Sequence, residues 1–192
     1  MTAAAPWLIV GLGNPGPQYE TTRHNIGALC ADVLAERISS RFSKSSKLRA
    51  DVAEGRFGHT RVVVAKPHSF MNESGGPTKS LINYYTVPLE QVVVLHDELD
   101  IDFATQRYKL GGGDNGHNGL KSIRSALGSG EFLRVRLGIG RPPGQQDPAD
   151  FVLRPFSGAE RKALADFFDL AADGIETLVT QGLLKAQNDF NS

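Results

Sequence analysis

The chain has 192 residues, 40% hydrophobic and 22% charged, with a formal net charge of zero. That length and composition suit one globular domain with a full core, and the neutral balance excludes a partner chosen by bulk charge alone. Cys30 is the single cysteine, which excludes an intrachain disulfide and a thiolate metal cluster.

Charge is unevenly distributed along the chain. Residues 37–66 and 104–141 are rich in Lys and Arg, whereas the stretch from Pro142 onward is acidic. Such segregation can give a neutral protein a basic face, or can simply mark solvated surfaces. No apolar stretch approaches a membrane span. No basic region precedes the apolar run Trp7–Val10, so a signal peptide is not expected and a cytoplasmic protein is.

Trp7 to Val10 reads as a buried strand. A glycine- and proline-rich turn follows, then a polar run ending at His24. Ile26, Leu29, Cys30, Val33, Leu34 and Ile38 have helical spacing to about Ser39, with Cys30 on the apolar face as an inert buried thiol. Residues 41–47 are polar and basic and read as a loop. Leu48–Arg56 and Thr60–Ala65 form a predicted hairpin through Gly58 and His59. After a loop from Pro67 to Asn72, Ser74 is expected to cap a helix reaching Tyr85, with Leu81, Ile82 and Tyr85 inward.

Pro88 breaks the chain before a buried strand, Val92–Leu95, which ends in His96-Asp97-Glu98-Leu99-Asp100. Ala104–Leu110 is a strand candidate, followed by a glycine cluster from Gly111 to Gly119 and a helix from about Leu120 to Leu127. Phe132–Ile139 reads as a strand. A long loop covers 142–150, and Phe151–Arg154 reads as a short extended piece. Ser157 to about Gln181 is an amphipathic helix opened by a capping box, Ser157 with Glu160, and the tail from Leu183 is expected to add one turn. Strands alternating with helices predict a single α/β domain over 1–192, in which a twisted, mixed and largely parallel sheet is flanked by helices on both faces.

Gly11, Gly13 and Gly16 fit the G-x-G-x-x-G spacing of a dinucleotide site. That site needs the third glycine to open a helix whose N-terminus holds the pyrophosphate. Here Pro15 and Pro17 flank Gly16, and Gln18 to His24 intervene before a helix can start. The acid expected about 20 residues on would have to be Asp32 or Glu36, both inside a helical pattern. A nicotinamide oxidoreductase is therefore disfavoured.

Four strand-end loops carry unusual polar groups: Asn14 with His24, Met71-Asn72, Asp97, and His117-Asn118. Such loops gather at one crevice in open α/β sheets. His24 and Asp97 are the parts of a general base and its orienter, and three asparagines suit a carbonyl, hydroxyls or an oxyanion. No Ser or Cys lies in a nucleophile elbow, so attack by water is expected. The bland alternatives stay open: His24 as a capping residue, Asp97 as a turn former, His117-Asn118 as a helix start. His96, Asp97, Glu98, Asp100 and Asp102 lack metal-ligand spacing, so no metal is expected. His59 and His68 show no partner.

Together, G-L-G-N-P-G (11–16), Y-x-x-T-R-H-N (19–25), S-F-M-N-x-S-G (69–75), H-D-E-L-D (96–100), K-L-G-G-G (109–113), G-H-N-G (116–119) and R-x-R-x-G-I-G (134–140) resemble the bacterial-type peptidyl-tRNA hydrolases, in the family's order. The resemblance implies cleavage of the ester between a peptide and the terminal ribose of tRNA, by a monomer without metal or organic cofactor. It implies His24 as base and Asp97 as its partner. Asn14, Asn72 and Asn118 would bind substrate, Tyr19, Met71 and His117 would line the cleft, and Lys109 and Arg136 would hold tRNA phosphate. Two features depart from the pattern: Asp114-Asn115 in the glycine cluster places an acid near the RNA path, and Glu73 follows the Met71-Asn72 pair. A non-catalytic RNA-binding protein on the same scaffold and a metal-dependent peptidase are the other readings.

Overall fold

A computed structural model describes residues 4–191. A seven-stranded sheet in the order β2-β3-β4-β1-β5-β7-β6 forms the middle layer. Its strands are β1 (Trp7–Gly11), β2 (Ser43–Ser45), β3 (Ala50–Phe57), β4 (Thr60–Pro67), β5 (Val92–Glu98), β6 (Gln106–Leu110) and β7 (Leu133–Gly138). The four central strands β4, β1, β5 and β7 run parallel, while β2, β3 and β6 pair antiparallel at the edges. The domain is thus α/β with a mixed, centrally parallel sheet, as the alternation of patterns predicts. Val92–Leu95 is apolar throughout because a central parallel strand is covered on both faces.

Helices α1 (Ile26–Arg37), α5 (Gly158–Gln181) and α6 (Leu183–Phe190) cover one face. They enclose a core that includes Ile9, Leu34, Val93, Phe167 and Ile175. Helices α2 (Gly75–Tyr85) and α3 (Asn118–Leu127) cover the other, around Leu8, Val10, Leu81, Val94 and Phe132. The chain passes from β1 to the β2–β4 side and then returns past β1 to β5. That reversal opens a crevice at the carboxyl ends of β1 and β5, where ligands bind in open sheets. No helix among the described residues is long and apolar enough to cross a membrane.

Several local features differ from the sequence reading. The polar 41–47 segment contains β2, too short and hydrophilic to show alternation, and made a strand by pairing Ser43 to Ser45 with Val52 to Ala50. Ser74 does not cap α2: its hydroxyl donates back to the Met71 carbonyl at 2.7 Å, closing a 3₁₀ turn over Met71–Glu73. Leu81 is buried, but Ile82 and Tyr85 are only half-buried. Phe151–Arg154 is not extended. Asp147 accepts the Ala149 N–H, Pro148 sits in the first turn, and α4 (Pro148–Val152) results. The tail forms the full α6 because Ala186 and Phe190 find the core cluster. The capping box at Ser157 forms as expected.

Two glycines let α1 sit almost against the sheet. A Cβ at Gly27 would lie 2.3 Å from the Leu95 carbonyl oxygen, and one at Gly11 would lie 2.4 Å from that of Gly27. This close approach brings the residues just before α1 beside the end of β5. Gly27→Ala must therefore push α1 away, with an expected loss of about 1–3 kcal/mol of stability, read by urea unfolding. An unchanged midpoint would show that the helix does not depend on this contact.

Candidate active site

Beyond β1 the chain leaves the sheet through Gly16, at φ 108, and passes two tight turns (Tyr19 N–H to Gly16 O and Thr22 N–H to Tyr19 O, each 3.1 Å). A 3₁₀ turn, Arg23–Asn25, then leads into α1 and carries His24. Asp97 lies in the last turns of β5, which continues through His96 and Asp97 to Glu98, past the end of the apolar run. The two side chains meet directly, His24 Nδ1 standing 2.8 Å from Asp97 Oδ2.

Asp97 holds a second histidine. His117 Nε2 is 2.7 Å from Asp97 Oδ1, while His117 Nδ1 accepts the N–H groups of Gly119 and Leu120 at 3.1 and 3.3 Å. Because Nδ1 is the acceptor, the proton of His117 sits on Nε2 and is donated to the carboxylate. His117 therefore both caps α3 and steadies Asp97. Burial alone would raise the Asp97 pKa, but the charges and hydrogen bonds of His24 and His117 overcome it and hold the carboxyl well below the usual range. An ionised Asp97 can only accept, so His24 carries its proton on Nδ1 and presents Nε2 as a lone pair. For His24, burial pulls the pKa down, yet the Asp97 charge and hydrogen bond outweigh it and the net shift is upward.

His96 stacks edge-on against His117, with ring centroids 5.2 Å apart, and its Nδ1–H donates to the Asp97 carbonyl at 2.9 Å. Burial, then the neighbouring His117, lower its pKa to about 3, which keeps it neutral. His24, Asp97 and His117 bring potential ligand atoms within 4.8 Å of one another. The sequence reading did not consider this trio as a metal set. Two of its nitrogens are engaged by hydrogen bonds to Asp97 and a third by backbone N–H groups, so an ion would have to displace these contacts.

Asn14 is fixed by its neighbours. Its N–H donates to Asn25 Oδ1 at 2.8 Å, and its carbonyl accepts from Asn25 Nδ2 at 3.0 Å. Its side-chain oxygen accepts the Met71 N–H at 2.7 Å, which leaves the Nδ2 donors facing outward. Around these groups lies a cavity of about 450 Å³ lined by Asn14, His24, Met71, Asn72, Asp97, His117 and Asn118. All four strand-end loops thus reach one place. Met71 is buried and forms the floor. A Cβ at Gly119 would strike its sulfur at 2.7 Å, which explains the glycine after Asn118. Tyr19 is the exception. It does not line the cavity but packs edge-on against Phe70, which does, with centroids 6.5 Å apart.

The opposite wall is apolar, formed by Leu99, Val152 and Leu153, and α4 supplies part of it. Sequence reasoning missed what holds α4 there. Arg23, the residue before His24, donates to the Phe151 carbonyl at 3.2 Å and to Glu160 at 2.8 Å, with its guanidinium 3.9 Å from the Phe151 ring centroid. Glu160 was legible only as half of a capping box. Its second bond, to a residue 137 positions away, leaves no local pattern.

Lys109 and Arg136 stand together at a second hollow of about 480 Å³, which His96, Glu98 and Arg134 also line. The buried Arg134 side chain donates to the carbonyls of Gly112 (2.8 Å), Gly113 and Gly130 (3.1 Å) and so shapes the glycine loop. Arg136 Nε lies 3.5 Å from Glu98 Oε2. Glu98, Asp100 and Asn115 border both hollows, with Asn115 Nδ2 donating to Glu98 at 3.2 Å and to Asp100 at 2.9 Å. His68, expected to be partnerless, pairs with Asp51 at 2.7 Å on a separate surface.

The comparisons with known proteins point to one family. The family model described as peptidyl-tRNA hydrolase matches residues 8–192. The peptidyl-tRNA hydrolase of Streptomyces coelicolor is 57% identical, over 99% of this chain and 97% of that protein. That of Mycolicibacterium smegmatis is 56% identical, over 98% and 99%. Among solved structures, the peptidyl-tRNA hydrolase of Acinetobacter baumannii superposes with a TM-score of 0.90 at 33% identity, covering 97% of this chain and 95% of that one. A family match of that extent, with relatives sharing more than half of their residues over nearly the full length, leads to one conclusion: this chain belongs to the peptidyl-tRNA hydrolase family.

Proposed function

We propose that the chain hydrolyses the ester joining a peptide to the terminal ribose of tRNA, with a water activated by His24 as the nucleophile. One observation carries this reading. His24 Nδ1 is locked on Asp97, while Nε2 borders the cavity with no hydrogen-bond partner among the described residues. That is the arrangement a general base needs.

In this mechanism Nε2 takes a proton from water as the water oxygen bonds to the ester carbonyl carbon. Asp97 stabilises the imidazolium so formed and is not itself protonated. The developing oxyanion is met by neutral amide donors, with Asn14 Nδ2 the best oriented because its oxygen is already engaged. Collapse of the tetrahedral species breaks the bond to the ribose oxygen, which receives the proton from His24. The products are a peptide carboxylate and a tRNA with a free ribose hydroxyl.

Asn72 and Asn118 are exposed on the cavity wall and supply further hydrogen bonds to substrate, while the apolar wall suits peptide side chains. Lys109 and Arg136 offer charge to a tRNA phosphate, a contact that positions without reading sequence. The chemistry calls for no metal or organic cofactor, since an ester needs only an oriented base and an oxyanion site. A cytoplasmic location fits the sequence expectation, and the family resemblance further implies a monomer.

His24→Ala is expected to slow release of an N-acetylated amino acid from acyl-tRNA by roughly 10²–10⁴-fold while leaving tRNA affinity within about twofold. Turnover near the wild-type rate would remove His24 as the base. The raised pKa of His24 sets a sign for the pH profile: the base is protonated and idle below it, so kcat/KM should climb with pH through a midpoint above the ordinary imidazole value of 6.5. In Asp97→Asn burial acts unopposed, and the His24 titration, followed by NMR of its ring protons, should move below 6.5. A midpoint that stays in place would show that Asp97 does not govern the base. Lys109→Ala should weaken tRNA binding and flatten the log K against log salt slope by roughly 0.7–0.9. An unaltered slope would move the phosphate contact elsewhere.

A further inference from the structure

The sheet edge farthest from Lys109 carries a surface that hydrolysis does not use. Edge strand β2 and the end of α2 enclose a hollow of about 480 Å³ lined by Arg41, Lys44, Lys47, Tyr84 and Tyr85, among others. Arg41, Lys44 and Lys47 are exposed and form no ion pair with a carboxylate of the described residues. Many other cations do: Arg37 with Asp173, Lys66 with Asp32, Arg124 with Asp114, Lys185 with Asp189. Glu54, the acid of the hollow, is occupied by the Tyr85 hydroxyl, which donates to it at 2.6 Å. Tyr84 is 57% exposed, an unusual state for a large ring. It is held edge-on by Tyr85, centroids 4.8 Å apart at 83°, with Lys47 Nζ 5.7 Å from its own centroid.

Charges on an edge strand commonly serve to prevent strand pairing with another chain. That role accounts for Lys44. It does not account for a fixed, open aromatic ring beside two unneutralised cations, Arg41 and Lys47, around a concavity. A fixed ring takes a nucleobase by stacking, and cations spaced around it take the adjoining phosphates. An acidic peptide would use the cations but has no need of the ring.

We propose that this hollow binds a single-stranded segment of RNA distinct from the acceptor end at the cleft, with one base on Tyr84 and phosphates on Arg41 and Lys47. Ser43 and Ser45 place hydroxyls on the same wall, suited to phosphate or 2′-hydroxyl groups. The sheet order puts β2 and β6 at opposite edges, six strand intervals or roughly 29 Å apart, so this hollow is separate from the Lys109–Arg136 hollow. Both sit on the side of the sheet covered by α2 and α3.

The test is fluorescence anisotropy of a labelled, unstructured oligoribonucleotide with the full-length protein, alone and with saturating acceptor-stem RNA. The oligomer should stay bound when the acceptor stem is present. Arg41→Ala with Lys47→Ala should flatten the salt slope by roughly 1.4. Tyr84→Ala should weaken binding about tenfold, and Tyr84→Phe should restore it. These variants should leave kcat on N-acetylated aminoacyl-tRNA unchanged, which also shows that they fold. Any of three results overturns the proposal: displacement of the oligomer by the acceptor stem, affinity indifferent to Tyr84, or polyglutamate of equal charge competing as well as the RNA.

Discussion

The structure is arranged around one carboxylate. Asp97 is buried at the end of a central strand, where a lone charge would be expensive to keep ionised. It stays ionised because two imidazoles donate to its two oxygens, one from the turn before α1 and one from the N-cap of α3. Each partner is in turn restrained. α1 is seated by glycines that let it touch β1 and β5, and His117 is held by the first N–H groups of α3. Three elements far apart in sequence therefore converge on Asp97, and moving any of them would leave a buried charge short of a partner. The same constraint gives His24 its tautomer, and the tautomer leaves Nε2 available.

Arg23 ties this centre to the wall opposite it. As the neighbour of His24, it shares the backbone that presents that histidine, and its guanidinium grips both Phe151 and Glu160. Thr22 adds a bridge to Pro155. The short helix α4 and the start of α5 are thereby referenced to His24 rather than floating over the cavity. This arrangement explains why a five-residue helix, far below the length at which helices are stable alone, has a defined place.

Zero net charge conceals a strongly polar surface. Lys109, Arg134 and Arg136 gather beside the β6 edge, and Arg41, Lys44 and Lys47 beside the β2 edge. Acids placed between the β6-side hollow and the cleft, Glu98 and Asp100, separate that cationic hollow from His24. A polyanion can then be held near His24 without flooding the cleft with positive charge that would depress its basicity. The departures at Asp114 and Asn115 belong to this boundary. Asp114 pairs with Arg124, and Asn115, at φ 50, reaches back to Glu98 and Asp100.

Much of this was legible in the sequence because it rests on local rules. Strong periodicity marked β1, α1, β5 and α5, and the capping box at Ser157 needs only residues three positions apart. The order of the motifs pointed to the family, and with it to His24, Asp97 and the three asparagines. The elements that were misread are short or polar: β2 exists only because β3 offers it an edge, and α4 only because Arg23 and the core receive Phe151. What tertiary structure alone decided is the pairing. One carboxylate serves two histidines, Asn25 immobilises Asn14, Arg23 reaches Glu160, and Tyr19 stands behind Phe70 instead of in the cavity. A sequence can place polar residues at strand ends, because backbone periodicity is local. It does not say which of them share a hydrogen bond, because that depends on how closely α1 and α3 approach β5, a distance decided by glycines packing against carbonyl groups far along the chain.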